Sequence, residues 1–208
     1  MEGTNHTYNE EACYEVAVVG GGAAGTSAAV FTARGGLRTV LVDDGQSGVQ
    51  RAMLHNHIPY ADGIAGPDFY RLSLQQAVKA GAAVEQGKVV SLNRQGQDDG
   101  GWVLQLEDGR RLEAQAVILC TGKALDLAKA LGLELAAGRE RRYPDVIKVD
   151  SDGRTSLPGI WAAGAVAGVT PHTIAVAGDG ARVAINLVSE KKGQRWVDHD
   201  VLPAMAHS

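Results

Sequence analysis

Gly20, Gly22 and Gly25, with Asp43 standing 23 residues after the first of them, are the residues whose types and spacing point most directly to a chemistry. Gly20 permits a tight turn, Gly22 lets backbone come close to a pyrophosphate, and Gly25 lets a helix lie against a sheet. Unpaired N–H groups at the start of that helix favour phosphate, and Asp43 is placed to accept hydrogen bonds from an adenosine ribose. The surroundings support this reading. An apolar run, Val16 to Val19, precedes the glycines as a strand, Ala23 and Ala24 open an Ala-rich helical pattern that runs to Arg34, and a second strand signal from Thr39 to Val42 ends at Asp43. The expectation is dinucleotide binding.

Three further groups of residues could carry chemistry. The segment from Gln46 to Gly66 has no helical or strand period and holds Arg51, His55, Asn56, His57 and Tyr60. A long irregular stretch in a compact protein is often functional. It reads either as a surface connection with exposed histidines or as a loop reaching across to the reactive end of a cofactor. Cys120, at the end of an apolar run from Ala116, reads as a small core residue rather than a nucleophile. Arg139, Arg141 and Arg142 lie in a charged, turn-like stretch from Gly138 to Asp145, a pattern typical of solvated surface that is also suited to a phosphate on a partner.

The elements that must position these residues alternate strand and helix. Pro67 opens a helix ended by Gly81, and Ala82 to Val84 reads as a short strand continuing through Val89 and Val90. Asp108-Gly109 between two alternating runs signals a hairpin. Its second arm becomes almost wholly apolar at Ala116 to Cys120, as a buried parallel strand does. A short helix is expected over Ala124 to Leu131, a short strand from Ile160, and a helix from His172 to Val188 that contains Gly178 and Gly180. Two glycines inside a helix need a packing reason. The expected fold is α/β, with a central parallel sheet and a small antiparallel β layer stacked on it.

At 208 residues the chain can bury one substantial core. A net charge of −4 with interspersed signs leaves no electrostatic footprint for nucleic acid or an anionic membrane. No apolar run is long enough to span a bilayer, and Met1 to Glu11 lacks the apolar core of a signal peptide. Cys13 and Cys120 are far apart and no C-x-x-C occurs, which argues against a disulfide scaffold or a zinc site and makes a cytoplasmic location the default. No metal is expected.

The motifs resemble those of the two-dinucleotide-binding-domain flavoproteins, the thioredoxin reductase-like family. The matching pieces are Val18 to Gly25, Asp43, Gly63 to Phe69, Cys120 to Gly122, Gly153 to Gly164, and Thr170 to Ala184. They occur in the family's order and cover nearly all of the chain. The resemblance implies a Rossmann-like FAD-binding domain over 13–190, assembled from 13–122 and 147–190, with a flexible arm at 1–12 and a tail at 191–208. It implies that Gly20, Gly22, Ala23, Ala24 and Gly25 hold the FAD pyrophosphate and Asp43 the ribose, with Asp44, Gly45 and Gln46 nearby. Lys88 and Val89 would lie against the adenine. Cys120, Thr121, Gly122, Gly164 and Ala165 would pass close to the cofactor, and His172, Thr173 and Ile174 would lie by the isoalloxazine. His55, His57 and His172 are the candidates for groups near the reactive ring.

Two departures from the family bear on function. Thioredoxin reductases insert an NADPH-binding domain carrying the redox C-x-x-C, whereas here only about thirty residues separate Gly122 from Gly153. Ala165 stands where the family has an aspartate that binds the FAD ribityl and phosphate region. Loss of that charge-assisted hydrogen bond costs about 1.5 to 3 kcal/mol unless water or backbone replaces it. The expectation is an FAD-dependent oxidoreductase taking electrons from a separate donor or from NAD(P)H and passing them to a redox partner protein or small-molecule acceptor, with a homodimer compatible. The alternative is a non-catalytic flavin-binding redox sensor, or a subunit that needs a partner chain.

Overall fold

The computed structural model describes residues 13–96 and 100–200. The expected arm at 1–12, part of the polar turn after Gln95 and the end of the expected tail lie outside the described residues. Strand β1 (Tyr14–Val19) leads through the glycine turn into helix α1 (Ala23–Arg34), and β2 (Thr39–Asp43) follows. A 3-10 turn at Gly48–Arg51 and the two-residue strands β3 (Met53–Leu54) and β4 (Ile64–Ala65) organise the irregular segment before α2 (Gly66–Lys79). Strands β5 (Ala83–Gln86), β6 (Val89–Arg94), β7 (Trp102–Leu106) and β8 (Arg111–Leu119) come next, then the short helix α3 (Asp126–Ala130). The chain closes with β9 (Leu135–Glu140), β10 (Tyr143–Ile147), β11 (Ile160–Ala162), a 3-10 turn at Gly164–Ala167 and α4 (Thr173–Lys192).

The main sheet has seven strands in the order β5-β2-β1-β8-β7-β6, and β11 pairs with the carboxyl half of β8. Strands β5, β2, β1, β8 and β11 are mutually parallel, while β6, β7 and the amino half of β8 are antiparallel. The nine-residue β8 therefore belongs to both parts. Its register explains the division of labour, because Ala114 pairs with both Tyr14 and Trp102, whereas Leu119 pairs with Val19 and Ala162.

Alternation along β1 divides the core. Val16 and Val18 face the helices together with Leu41, Ile118, Ala28, Val183 and Leu187. Ala17 and Val19 face the other way, sharing a cluster with Val40, Leu104, Leu106 and Ile147. Residues of β6 and β7 thus cover the second face of the parallel strands, which is the expected antiparallel layer. The two helical glycines differ. A Cβ on Gly180 would stand 2.1 Å from the carbonyl oxygen of Ala24, so Gly180 lets α4 lie directly on α1, whereas a Cβ on Gly178 would meet nothing.

Three local readings change. The strand expected through Val84 to Val90 is two strands broken at Gly87, which turns the chain from a parallel partner of β2 into an antiparallel partner of β7. The charged stretch after Gly138 holds a turn, at Arg141-Arg142, but that turn joins two strands into a hairpin, β9 with β10, whose arginines are exposed and whose Val146 and Ile147 are buried. Helix α4 runs on to Lys192 and ends at Gly193 in the left-handed region, two residues into the segment expected as tail. Beyond it, Asp198 and Asp200 both accept hydrogen bonds from the Arg34 guanidinium, and the Trp196 N–H donates to Ser189 Oγ at 3.0 Å.

Candidate functional site

The carboxyl ends of β1, β2, β8 and β11 meet at one edge of the sheet, where the glycine turn, Asp43, the turn after Cys120 and the Gly164 turn all emerge. At this edge the glycines have distinct tasks. Gly20 has φ +104°, and a Cβ there would lie 2.6 Å from the Cys120 carbonyl oxygen. A Cβ on Gly25 would be 1.8 Å from the Gly20 oxygen. Both are needed to close the turn. Gly22 is different, since its Cβ position meets only Ser47 Oγ at 3.2 Å. It is the N-cap of α1, no side chain caps it and the first turn carries no acid, so N–H groups without intrahelical acceptors face the open edge. This cradle fits a diphosphate, with Ala23 and Ala24 in the first turn of the helix.

Asp43 is 6% exposed. Its Oδ1 accepts the Gly21 N–H at 2.7 Å, and its Oδ2 accepts the Gly45 N–H at 3.3 Å and the Tyr70 hydroxyl. Burial, and then the bond to Asp43, push the Tyr70 phenol well above its usual range. Asp44 turns outward and accepts the Gln46 N–H at 2.9 Å, while Gln50 Nε2 donates to the Gly45 carbonyl at 2.7 Å. Val89 is buried in the core, and Lys88, exposed beside it, pairs with Glu107 at 3.3 Å. Neither Ser47 nor Tyr70 was expected here. Ser47 follows directly on the Asp44 to Gln46 segment and was within reach of sequence reasoning. The Tyr70 contact spans 27 residues and leaves no mark on helix periodicity.

Cys120 is buried, and burial, reinforced by the charge of Asp179, pushes its thiol well above the normal range. It therefore stays protonated and inert. Cys13 is at the amino end of β1 and Cys120 just past the carboxyl end of β8, which sets them about 20 Å apart along paired parallel strands. Thr121 turns its hydroxyl back to the Ala124 carbonyl at 2.6 Å, and Gly122 sits in the left-handed region.

The Gly164 turn is held from below. Asp179, buried within α4, accepts the Gly164 N–H at 2.7 Å through Oδ2 and the Arg182 guanidinium at 2.8 and 3.0 Å through Oδ1. Ala165 follows, half-buried, in the 3-10 turn. His172 is the N-cap of α4 without a side-chain cap, and its Nδ1 lies 3.2 Å from Thr170 Oγ1. Ile174 is exposed.

The histidines separate cleanly. His55 is exposed, whereas His57 is half-buried and places Nδ1 3.1 Å from Thr173 Oγ1. Its ring packs on Phe69 with centroids 4.7 Å apart, and it lines a crevice of about 290 Å³ with Ala23, Ser27, Tyr60 and Ala177. Burial lowers its pKa. The irregular segment therefore does reach across to the start of α4, by way of His57 and not His55. Among the described residues no group of three His, Cys, Asp or Glu side chains could hold a metal ion, and no helix is long and apolar enough to cross a membrane.

Residues 66–181 match the pyridine nucleotide-disulphide oxidoreductase family, more than half of the chain. The chain belongs to that family. Residues 15–82 also match the FAD binding domain family, which includes the glycine turn and Asp43, and FAD is the cofactor this match supports. The thioredoxin reductase of Mycoplasmopsis pulmonis is 34% identical over 112 residues, covering 52% of this chain and 36% of that protein. That of Listeria monocytogenes is 32% identical over 139 residues, covering 65% of this chain and 42% of that protein. The chain thus spans about two fifths of the length of these curated relatives. Among solved structures, a thioredoxin reductase from Gloeobacter violaceus superposes with a TM-score of 0.78 at 16% identity, covering 93% of this chain and 100% of that one. The atypical thioredoxin reductase TRi from Desulfovibrio vulgaris Hildenborough gives 0.73 at 19% identity, covering 86% and 98%. The fold is that of a single thioredoxin reductase-like domain, without the C-x-x-C pair.

Proposed function

We propose that this domain is an FAD-dependent oxidoreductase unit that moves electrons between a separate donor or NAD(P)H and an acceptor that is a small molecule or a partner protein. The observation that carries the reading is the uncapped start of α1 at Gly22, open beside Ser47 and next to a fixed aspartate. In this reading Gly20 to Gly25 hold the pyrophosphate, Asp43 and the 44–46 segment face the ribose, and the backbone at Lys88 and Val89 lies along the adenine. Thr121, Gly122, Gly164 and Ala165 flank the middle of the cofactor, and the start of α4 at His172 to Ile174 takes the ring end. FAD, when bound, supplies the electron chemistry, and the protein supplies position and polarity. The N–H groups at the start of the 20-residue α4 favour negative charge developing beside them. His57, held by Thr173 and Phe69, orients the loop over that end and is neutral at neutral pH. The domain extends over 13–190 in this proposal, with the β9-β10 hairpin joining its two halves.

The same hairpin favours a second reading. Where a nucleotide domain would be inserted there is a two-stranded ribbon from Leu135 to Ile147, and Cys13 and Cys120 stand at opposite ends of paired parallel strands. A flavin-binding sensor, or a subunit completed by a partner chain, fits these facts as well. Anaerobic flavin reduction by NADH or NADPH, followed by addition of a panel of quinone, disulfide and dye acceptors, separates the two. Turnover with any acceptor supports the oxidoreductase. Failure of reduction by either nucleotide and by a chemical donor relay, with FAD bound, contradicts it and leaves the non-catalytic module.

A further inference from the structure

The Asp43 carboxylate is asked to serve two sets of donors. In the glycine-fingerprint arrangement the acid at the end of the second strand accepts the ribose hydroxyls. Here, in a residue only 6% exposed, three protein donors already converge on it: the N–H groups of Gly21 and Gly45 and the hydroxyl of Tyr70. Two carboxylate oxygens offer about four acceptor directions. A ribose diol needs two of them on the side facing the open edge, so at least one resident donor must give way.

The three donors are not equally able to leave. The Gly21 N–H belongs to the phosphate turn, whose backbone is locked by Gly20 and Gly25, and Gly45 is held in place by its own carbonyl, which accepts from Gln50 Nε2. Tyr70 is a half-buried side chain on the second turn of α2, whose hydroxyl is withdrawn by rotation about two side-chain torsions without any movement of backbone. Its hydroxyl shares Oδ2 with the longest of the three bonds, that from Gly45 at 3.3 Å, and Oδ2 is therefore the oxygen that would be open to a ribose if the phenol moved.

We propose that Tyr70 is a built-in competitor of the adenosine ribose, its hydroxyl holding Asp43 in the ligand-free protein and leaving when the adenosine half of the cofactor binds. This rests on the flavin reading above. The tyrosine keeps a nearly buried carboxylate satisfied when no nucleotide is present, and in doing so it lowers the affinity for the dinucleotide by the strength of one hydrogen bond to an ionised group. It acts through Asp43 and is a positioning residue.

The test is isothermal titration of refolded apo-protein, wild type and Tyr70→Phe, with FAD, with ADP, and with FMN, which lacks adenosine. Tyr70→Phe should bind FAD and ADP roughly ten- to a hundredfold more tightly, leave FMN affinity unchanged, and lower the Tm of the apo-protein, with ADP restoring it. Equal or weaker binding of FAD and ADP overturns the proposal. If Tyr70→Phe does not refold, Tyr70→Leu reads the same sign, and in wild type the tyrosine ultraviolet band should shift to the blue on ADP binding. Absence of that shift also overturns it. Tighter ADP binding by the variant with no FAD binding to either protein would keep this inference and remove the flavin reading. Equal FAD binding to both proteins would do the reverse, and no binding of any of the three ligands would remove both.

Discussion

Gly22 and Gly25 stand three residues apart, yet the same kind of substitution asks different questions of each. A methyl group on Gly25 collides with the Gly20 carbonyl at 1.8 Å, and neither backbone can yield without opening the turn. Gly25→Ala should therefore lower stability by about 3 kcal/mol in urea unfolding, at the upper end of overpacking effects. A Cβ on Gly22 meets only a serine hydroxyl, so Gly22→Val should still fold, destabilised by about 1 kcal/mol through the poor N-cap, and fail to retain FAD, because the branched side chain fills the cradle. Normal FAD titration by folded Gly22→Val would take the turn out of the pyrophosphate site. His57 gives a pH prediction of definite sign. Burial depresses its folded pKa, while in the unfolded chain it titrates near 6.5, so the unfolded state binds more protons between the two values. Its contribution is complete above about pH 6.5 and falls as pH drops below that. Thermal melts from pH 7.5 to 5 should show this slope reduced in His57→Gln, and an unaltered slope would mean that burial does not depress this imidazole.

At the scale of elements, the Gly164 turn is built from two directions, and the missing family aspartate at Ala165 tests it. The turn's own N–H is already fixed by Asp179 from inside α4, so its geometry survives the alanine. Ala165→Asp should raise FAD affinity modestly, a few-fold, with repulsion from the phosphates and from Asp179 opposing the gain. Weaker binding by this variant would mean that the turn is shaped around a different contact. Elements with strong local signals were legible from the sequence: the β1-turn-α1-β2 unit has glycines at fixed offsets, and β8 changes from alternating to wholly apolar where it enters the parallel sheet. The β9-β10 hairpin was not, because an edge ribbon buries only Val146 and Ile147 and its arginines mask the period. The break at Gly87 was missed for a related reason, since two short strands in one apolar run carry no local sign of a change in partner. At the site, the glycines, Asp43 and the start of α4 were legible, whereas Tyr70 over Asp43 and the choice of His57 over His55 depend on contacts between distant segments.

For the molecule as a whole, the absence of a second glycine fingerprint in the chain and the presence of a hairpin between its two halves predict weak use of nicotinamide nucleotides. Flavin reduction by NADPH or NADH should be slow and hard to saturate in stopped flow, since without a second glycine turn to receive it the nucleotide's ordering is not offset. Rapid reduction saturating at low micromolar nucleotide would require a site of another kind. Replacing Cys13 and Cys120 together by serine should leave reduction and reoxidation rates close to unchanged, because the Cys120 thiol is held protonated by burial and the two lie at opposite ends of the sheet. The most direct measurement is the absorption spectrum of the purified protein, reconstituted where needed, with chromatography of what heat releases from it. The predicted result is a flavin spectrum and stoichiometric FAD from wild type, with none retained by Gly22→Val. Release of NAD(H) without flavin, or failure of folded wild-type protein to take up FAD, would contradict it.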